Sequence, residues 1–278
     1  MKSPLGLNAE LPVGDLISEA INLLWQKRSD VLRMFLPAIF LLALVDWIGK
    51  SFMPPNQIGS QLLFMAASLI LSILFATAAH RFTLLPPDQW DRNALHMWGR
   101  AEFVYLLRAL QIGIISGFVL VALMTVLILV LGKELMPLAA VASVLPTLYL
   151  CGRMSITLPE VALGRKTNLR RSWEMSEGNG TRMVLVVIIV PLLMTLPFLL
   201  LYLLKNQWLN YVAAFGSYIT TLISLVMLSL SYRFLQSFYD NQQPPEAGIE
   251  NTEAKDSAAQ NKDQSDDDQR PGSGGFDA

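Results

Sequence analysis

Four cations, Arg165, Lys166, Arg170 and Arg171, and one aromatic ring, Trp173, crowd the segment ALGRKTNLRRSWEMSEGNG at 162–180. Leu169 and Trp173 are four residues apart and share a helix face, while Arg170 and Arg171 project around its flank. Gly178-Asn179-Gly180 then supplies the permissive backbone that stops such a helix. Laid on a bilayer, this segment places the indole at headgroup depth and its cations against anionic phosphates, each worth ~1 kcal/mol near a charged surface. The same charge also suffices to hold a loop on one side of a membrane with no ligand at all. Both readings stand: Arg165, Lys166, Arg170, Arg171 and Trp173 are candidates for binding anionic lipid or a protein partner, or they are a topological anchor.

Other reactive residues are few. Asp46 is the one acid inside an apolar run, and an ionisable group at membrane depth is a functional candidate. Its neighbours Trp47 and Lys50 favour a position at the interface. Ser68, Ser72, Ala76 and His80 recur every fourth residue, a small-residue stripe suited to close helix packing, and Gly113-xxx-Gly117 offers a matching surface. His80 and Arg81 are expected at a span end, where polar side chains reach water. The chain has two histidines and one cysteine, Cys151. It therefore has no internal disulfide and no multi-cysteine metal site. No phosphate-cradling glycine loop, paired metal-spaced histidines or nucleophile elbow is present. No enzyme activity, cofactor or metal is expected, and nothing points to a nucleic-acid partner.

The elements that must position these residues follow from composition. The 278 residues are 53% hydrophobic and only 15% charged, against roughly 25% charged in average soluble chains. Several apolar runs approach or reach the ~20 residues that cross a bilayer as a helix. Six spans are expected, at 34–49, 61–80, 110–131, 135–152, 183–204 and 208–230. They must be helical, because unpaired backbone amides cannot face lipid. Before them, VGDLISEAINLLW at 13–25 places Val13, Leu16, Ile17, Ala20 and Leu24 on one face, with Asp15, Glu19 and Gln26 largely opposite. That is an amphipathic helix at the membrane surface, packed on the bundle or serving as a lipid or partner dock. The fold class expected is therefore all-α: a polytopic transmembrane helical bundle of about six spans with cytoplasmic interfacial amphipathic helices. Residues 1–33 form an N-terminal segment, 34–239 the membrane domain and 240–278 a tail.

Charge orients the spans. Of the 21 Lys and Arg, all but Lys50, Lys133 and Lys205 fall on one side, which the positive-inside rule makes cytoplasmic, with both termini. The three connections on the other side are short, and Trp47 and Trp208 lie at span ends there, as in an interfacial aromatic belt. From Asp240 onward ten acids oppose three cations, leaving +6 on residues 1–239. This polar tail cannot bury enough apolar surface to fold and is expected to be disordered. LLWQKRS (23–29), MWGRAEF (97–103) and RRSWEMS (170–176) each precede a pair of spans, a threefold plan of basic Trp-bearing segment and helical hairpin.

Three stretches carry a resemblance: VGDLISEAINLLWQKRSDVLRMFLPAIF (13–40), AAHRFTLL (78–85) and RMSITLPEVALGRKTNLRRSWEMSEGNG (153–180). They resemble a group of bacterial six-span membrane proteins that includes the membrane domain fused to some glycerophosphoryl diester phosphodiesterases. The resemblance implies a bacterial inner-membrane bundle with no agreed activity. The phosphodiesterase domain of the fused relatives is a soluble barrel, for which this chain has no room, so its activity is not carried over. The function expected is a non-enzymatic, multi-pass inner-membrane protein engaging anionic lipid or a protein partner; the alternative is a transporter or channel component, for which the proline-broken fifth span (Pro191, Pro197) could build a site.

Overall fold

The computed structural model describes residues 10–51, 58–204 and 206–240. Among these there are helices and connecting turns and no strands. Of the acidic tail expected to be disordered over 240–278, Asp240 ends the last helix and the rest lies outside the described residues.

Six helical segments are long and apolar enough to cross a membrane: Arg28–Gly49, Ile58–Leu84, Arg100–Leu131, Lys133–Ala162, Gly180–Leu204 and Gln207–Tyr239. In chain order, α1 (Val13–Gln26) leads into α2 (Arg28–Ser51) and α3 (Ile58–Leu84). The hairpin of α4 (Arg100–Leu131) and α5 (Met136–Met154) follows, then three short helices, α6 (Thr157–Ala162), α7 (Leu169–Met175) and α8 (Gly180–Val184). The last hairpin pairs α9 (Val190–Leu201) with α10 (Gln207–Asp240). The three-hairpin plan read from the basic segments is thus the observed pairing, α2 with α3, α4 with α5 and α9 with α10.

The centre of the bundle is α10, which packs on α2 and α3 as well as α9. Phe35, Phe75, Phe82, Leu42, Met227 and Leu230 are buried there, and Phe35 meets both Phe75 and Phe82 edge to ring at 5.6 and 5.5 Å. Such edge contacts suit the ring quadrupoles. The amphipathic α1 lies on this core: Leu16 and Ala20 are buried, Val13, Ile17 and Leu24 pack beside them, and Glu19 faces out to pair with Arg233 at 2.6 Å. By contrast α4 and α9 expose most of their apolar surface, which water would not tolerate over so large an area.

Several span boundaries differ from expectation: α2 starts at Arg28 and not at 34, and α10 runs to Asp240 and not to 230. α4 starts at Arg100, well before residue 110, because Glu102 accepts a 2.9 Å hydrogen bond from the Gly99 amide and caps the first turn. Ahead of α9 the chain makes a π-helical turn over Leu185–Ile189. Pro191 lacks the amide that would close an α-turn onto residue 187, and the wider turn accommodates that missing bond.

A cationic cavity between α4 and the turn after α6

α6 ends in a Schellman turn. Gly164 has φ +73 and donates to Val161 O at 2.8 Å, and the Arg165 amide donates to Glu160 O at 3.2 Å. The left-handed backbone at Gly164 sends the chain sharply away from the helix axis, so Arg165 and Lys166 project from the turn. Three residues on, the Asn168 side chain accepts the Arg171 amide at 2.7 Å and starts α7.

Opposite this turn stand the first turns of α4. Arg100, Val104 and Arg108 are four residues apart and share one face. Arg108 ties the two walls together: Nη2 donates to Thr167 O at 2.7 Å and Nη1 to Gln111 Oε1 at 2.8 Å. Between the walls lies an open cavity of about 520 Å³, lined by Arg100, Arg108, Arg165 and Lys166 over an apolar floor of Ala101, Val104 and Val161. No carboxylate lines it. None of the four cations has an ion-pair partner among the described residues, whereas Arg81, Arg170, Arg171, Arg182 and Arg233 each have one. Thr167 borders the cavity, with its hydroxyl buried inside the protein and without a hydrogen-bond partner.

The structure therefore divides the basic segment. Arg165 and Lys166 face the cavity. Arg170 turns to Glu174, with Nε 2.8 Å from Oε1, and Tyr239 donates to the other Glu174 oxygen at 2.8 Å. Arg171 pairs with buried Glu160 at 3.0 Å. Trp173 lies under the guanidinium of Arg153. The Arg170 hydrogen bond is the main reason the Glu174 carboxyl sits below the ordinary carboxylate range, with Tyr239 adding to it. Arg100 and Arg108, counted in the sequence only as positive charge, are the residues that complete the cavity. Their spacing on one helix face was visible, but nothing linked that face to a turn some sixty residues later.

The other candidates separate from this site. His80 does not reach water: it is fully buried, with Nδ1 2.7 Å from Ser229 Oγ and Nε2 3.2 Å from Tyr105 Oη, because α4 and α10 close over it. Ser229 already donates to Leu225 O at 2.8 Å, so the consistent tautomer has Nδ1 donating to Ser229 and Nε2 accepting from Tyr105. Arg81 beside it is held by Glu102 at 2.7 Å, Asp91 at 3.1 Å and Ala162 O at 3.0 Å. At the opposite end of the bundle Asp46 accepts hydrogen bonds from Ser68 at 2.9 Å and Tyr218 at 2.8 Å. It also borders an open groove of about 760 Å³ between α2 and α3. Trp47 stacks on Trp208 nearby. Gly113 and Gly117 do not meet the Ser68–His80 stripe: a Cβ at either would touch nothing within 4 Å. No cluster of three or more metal-ligating side chains occurs among the described residues.

What the cavity offers a ligand is positive charge and hydrogen-bond donors on an apolar floor, which is the chemistry of anion binding. No known protein family, curated protein or solved structure matches this chain.

Proposed function

We propose that this chain is a non-enzymatic, multi-pass protein of a bacterial inner membrane that binds anionic lipid headgroups in the cavity between α4 and the Arg165–Thr167 turn. The observation that carries this reading is four cations without acidic partners around one cavity. The apolar face of α4 runs away from it: Phe103, Val104 and Leu107 are all exposed, a track that acyl chains can follow while the phosphate sits among the cations. The sequence resemblance and the one-sided distribution of Lys and Arg support a bacterial membrane with this end cytoplasmic.

The test is native mass spectrometry of the full chain in mixed zwitterionic and anionic lipid. Arg100 and Lys166 make no hydrogen bond or ion pair among the described residues, so Arg100→Gln with Lys166→Gln removes charge without breaking a contact. At ~1 kcal/mol per cation, the double change is expected to weaken anionic-lipid retention ~10- to 30-fold. A charge-matched control, Arg33→Gln with Arg92→Gln at a separate opening that also holds Asp30 and Asp91, leaves it intact. Equal retention by wild type and the cavity variant overturns the reading. Capture of a protein that depends on the same cations, without lipid selectivity, replaces it with the partner-binding alternative.

A second reading, a transporter or channel component, rests on Asp46, an acid held by two hydroxyls beside the groove at the other end. Solute flux into proteoliposomes that vanishes with Asp46→Asn would favour it; no flux above protein-free vesicles removes it.

A further inference from the structure

Resting on the anionic-lipid reading, we propose that the headgroup class this cavity selects is a terminal phosphate monoester, as in phosphatidic acid, over the phosphate diesters of other anionic lipids. The argument is an inventory of donors and acceptors. The polar side-chain groups that the cavity wall presents are three guanidiniums and one ammonium, the Thr167 hydroxyl being buried away from the opening. Guanidinium and ammonium groups donate and never accept. Three backbone carbonyls at the turn are also engaged: Thr167 O by Arg108, Val161 O by the Gly164 amide and Glu160 O by the Arg165 amide.

A ligand matched to such a wall brings acceptors and no donors of its own. A monoester does this: it presents three terminal oxygens and about −1.5 to −2 charge near neutral pH. A headgroup glycerol carries hydroxyls that would find no carboxylate or amide side chain to accept them on this wall, and a headgroup ammonium would meet four like charges. A diester also has one fewer charge to set against the four cations. The exposed apolar track of α4 beside the cavity assigns the phosphate to a membrane lipid, and a soluble phosphate is the competing source.

The experiment exposes the full chain to equal amounts of phosphatidic acid and phosphatidylglycerol in a phosphatidylcholine background, read by native mass spectrometry. The added charge of the monoester predicts at least about fivefold preferential retention of phosphatidic acid, the equivalent of ~1 kcal/mol. Arg100→Gln with Lys166→Gln brings the two lipids close to parity, and Arg33→Gln with Arg92→Gln leaves it unchanged. Equal retention of both anionic lipids by the wild type, lost in the cavity variant, overturns the monoester assignment and leaves the anionic-lipid reading standing. Retention of both lipids regardless of the cavity cations overturns both. Displacement of phosphatidic acid by equimolar inorganic phosphate or glycerol 3-phosphate overturns the lipid source and makes the ligand a soluble monoester.

Discussion

The guanidinium carbon of Arg153 stands 3.6 Å from the centre of the Trp173 ring, across the junction of α5 and α7. The same guanidinium donates from Nε to Ser176 Oγ at 2.8 Å and from Nη2 to the Trp173 carbonyl. In return Ser172 donates to the Arg153 carbonyl at 2.5 Å. Arg153 is buried, so its charge is satisfied by ring and carbonyl and not by water. This clamp holds α7 against the end of α5 and fixes the indole in place.

Trp173→Ala should therefore destabilise the fold by about 1–2 kcal/mol, combining the cation–π contact to buried Arg153 with the packing of a partly exposed ring. Trp173→Phe should recover part of that, since a ring face remains. Thermal unfolding in detergent measures both. Lipid retention by folded Trp173→Phe protein should match wild type; a selective loss would return Trp173 to the binding site.

Arg81 and Glu102 form the tightest charge pair between α3 and α4, at 2.7 Å with the carboxylate buried. Removing Arg81 leaves the buried Glu102 carboxylate with only His96 and the Gly99 amide, so Arg81→Ala should cost about 3 kcal/mol, the low end for breaking a buried pair. Replacing both with Met should cost much less. A double-mutant cycle of unfolding free energies decides the matter, with additivity as the adverse result.

Glu174 links α7 to α10 through Arg170 and Tyr239, and its carboxyl is held below its ordinary value, first by the Arg170 hydrogen bond and then by Tyr239. A depressed carboxylate contributes its stabilisation above the unfolded value of about 4.3 and loses it as pH falls through the folded one. Acidification below about pH 4 should loosen α7 locally. Hydrogen exchange over 169–175 should show protection falling with acid in wild type. Glu174→Gln should lack that acid-dependent component. The contribution is small because the group is solvent-exposed.

Glycines of one chemical type divide by their surroundings. A Cβ on Gly216 would lie 2.1 Å from the Phe198 ring, where α9 and α10 approach closely. Gly216→Ala should force the ring to move and cost about 1–3 kcal/mol. A Cβ on Gly113 meets nothing within 4 Å, so Gly113→Ala should be neutral or stabilising by up to ~1 kcal/mol through helix propensity. Thermal unfolding of the two variants side by side tests the contrast. Destabilisation by Gly113→Ala together with a change in oligomer size would show that a second copy covers that face.

Local chemistry was enough for much of the architecture. The apolar runs and the amphipathic pattern of 13–25 each act within a window of a few turns, and each appears as helix; the helix through Trp173 ends at Met175, before Gly178, and Gly180 opens the next one. Arg170, grouped in the sequence with the candidate binding cations, instead pairs with Glu174 one helical turn on. Tertiary structure alone decided which charges remain available. Arg171 looks like Arg165 in the sequence, yet Glu160 pairs with one and leaves the other facing a cavity. Arg100 and Arg108 acquire their role only when α4 meets the turn after α6, and His80 loses contact with water only when α4 and α10 enclose it. Interaction between charges falls with separation and with the polarity of what lies between them. Both quantities are set by the approach of distant segments, so spacing along the chain reveals a cation and only the fold reveals whether it is still unpaired.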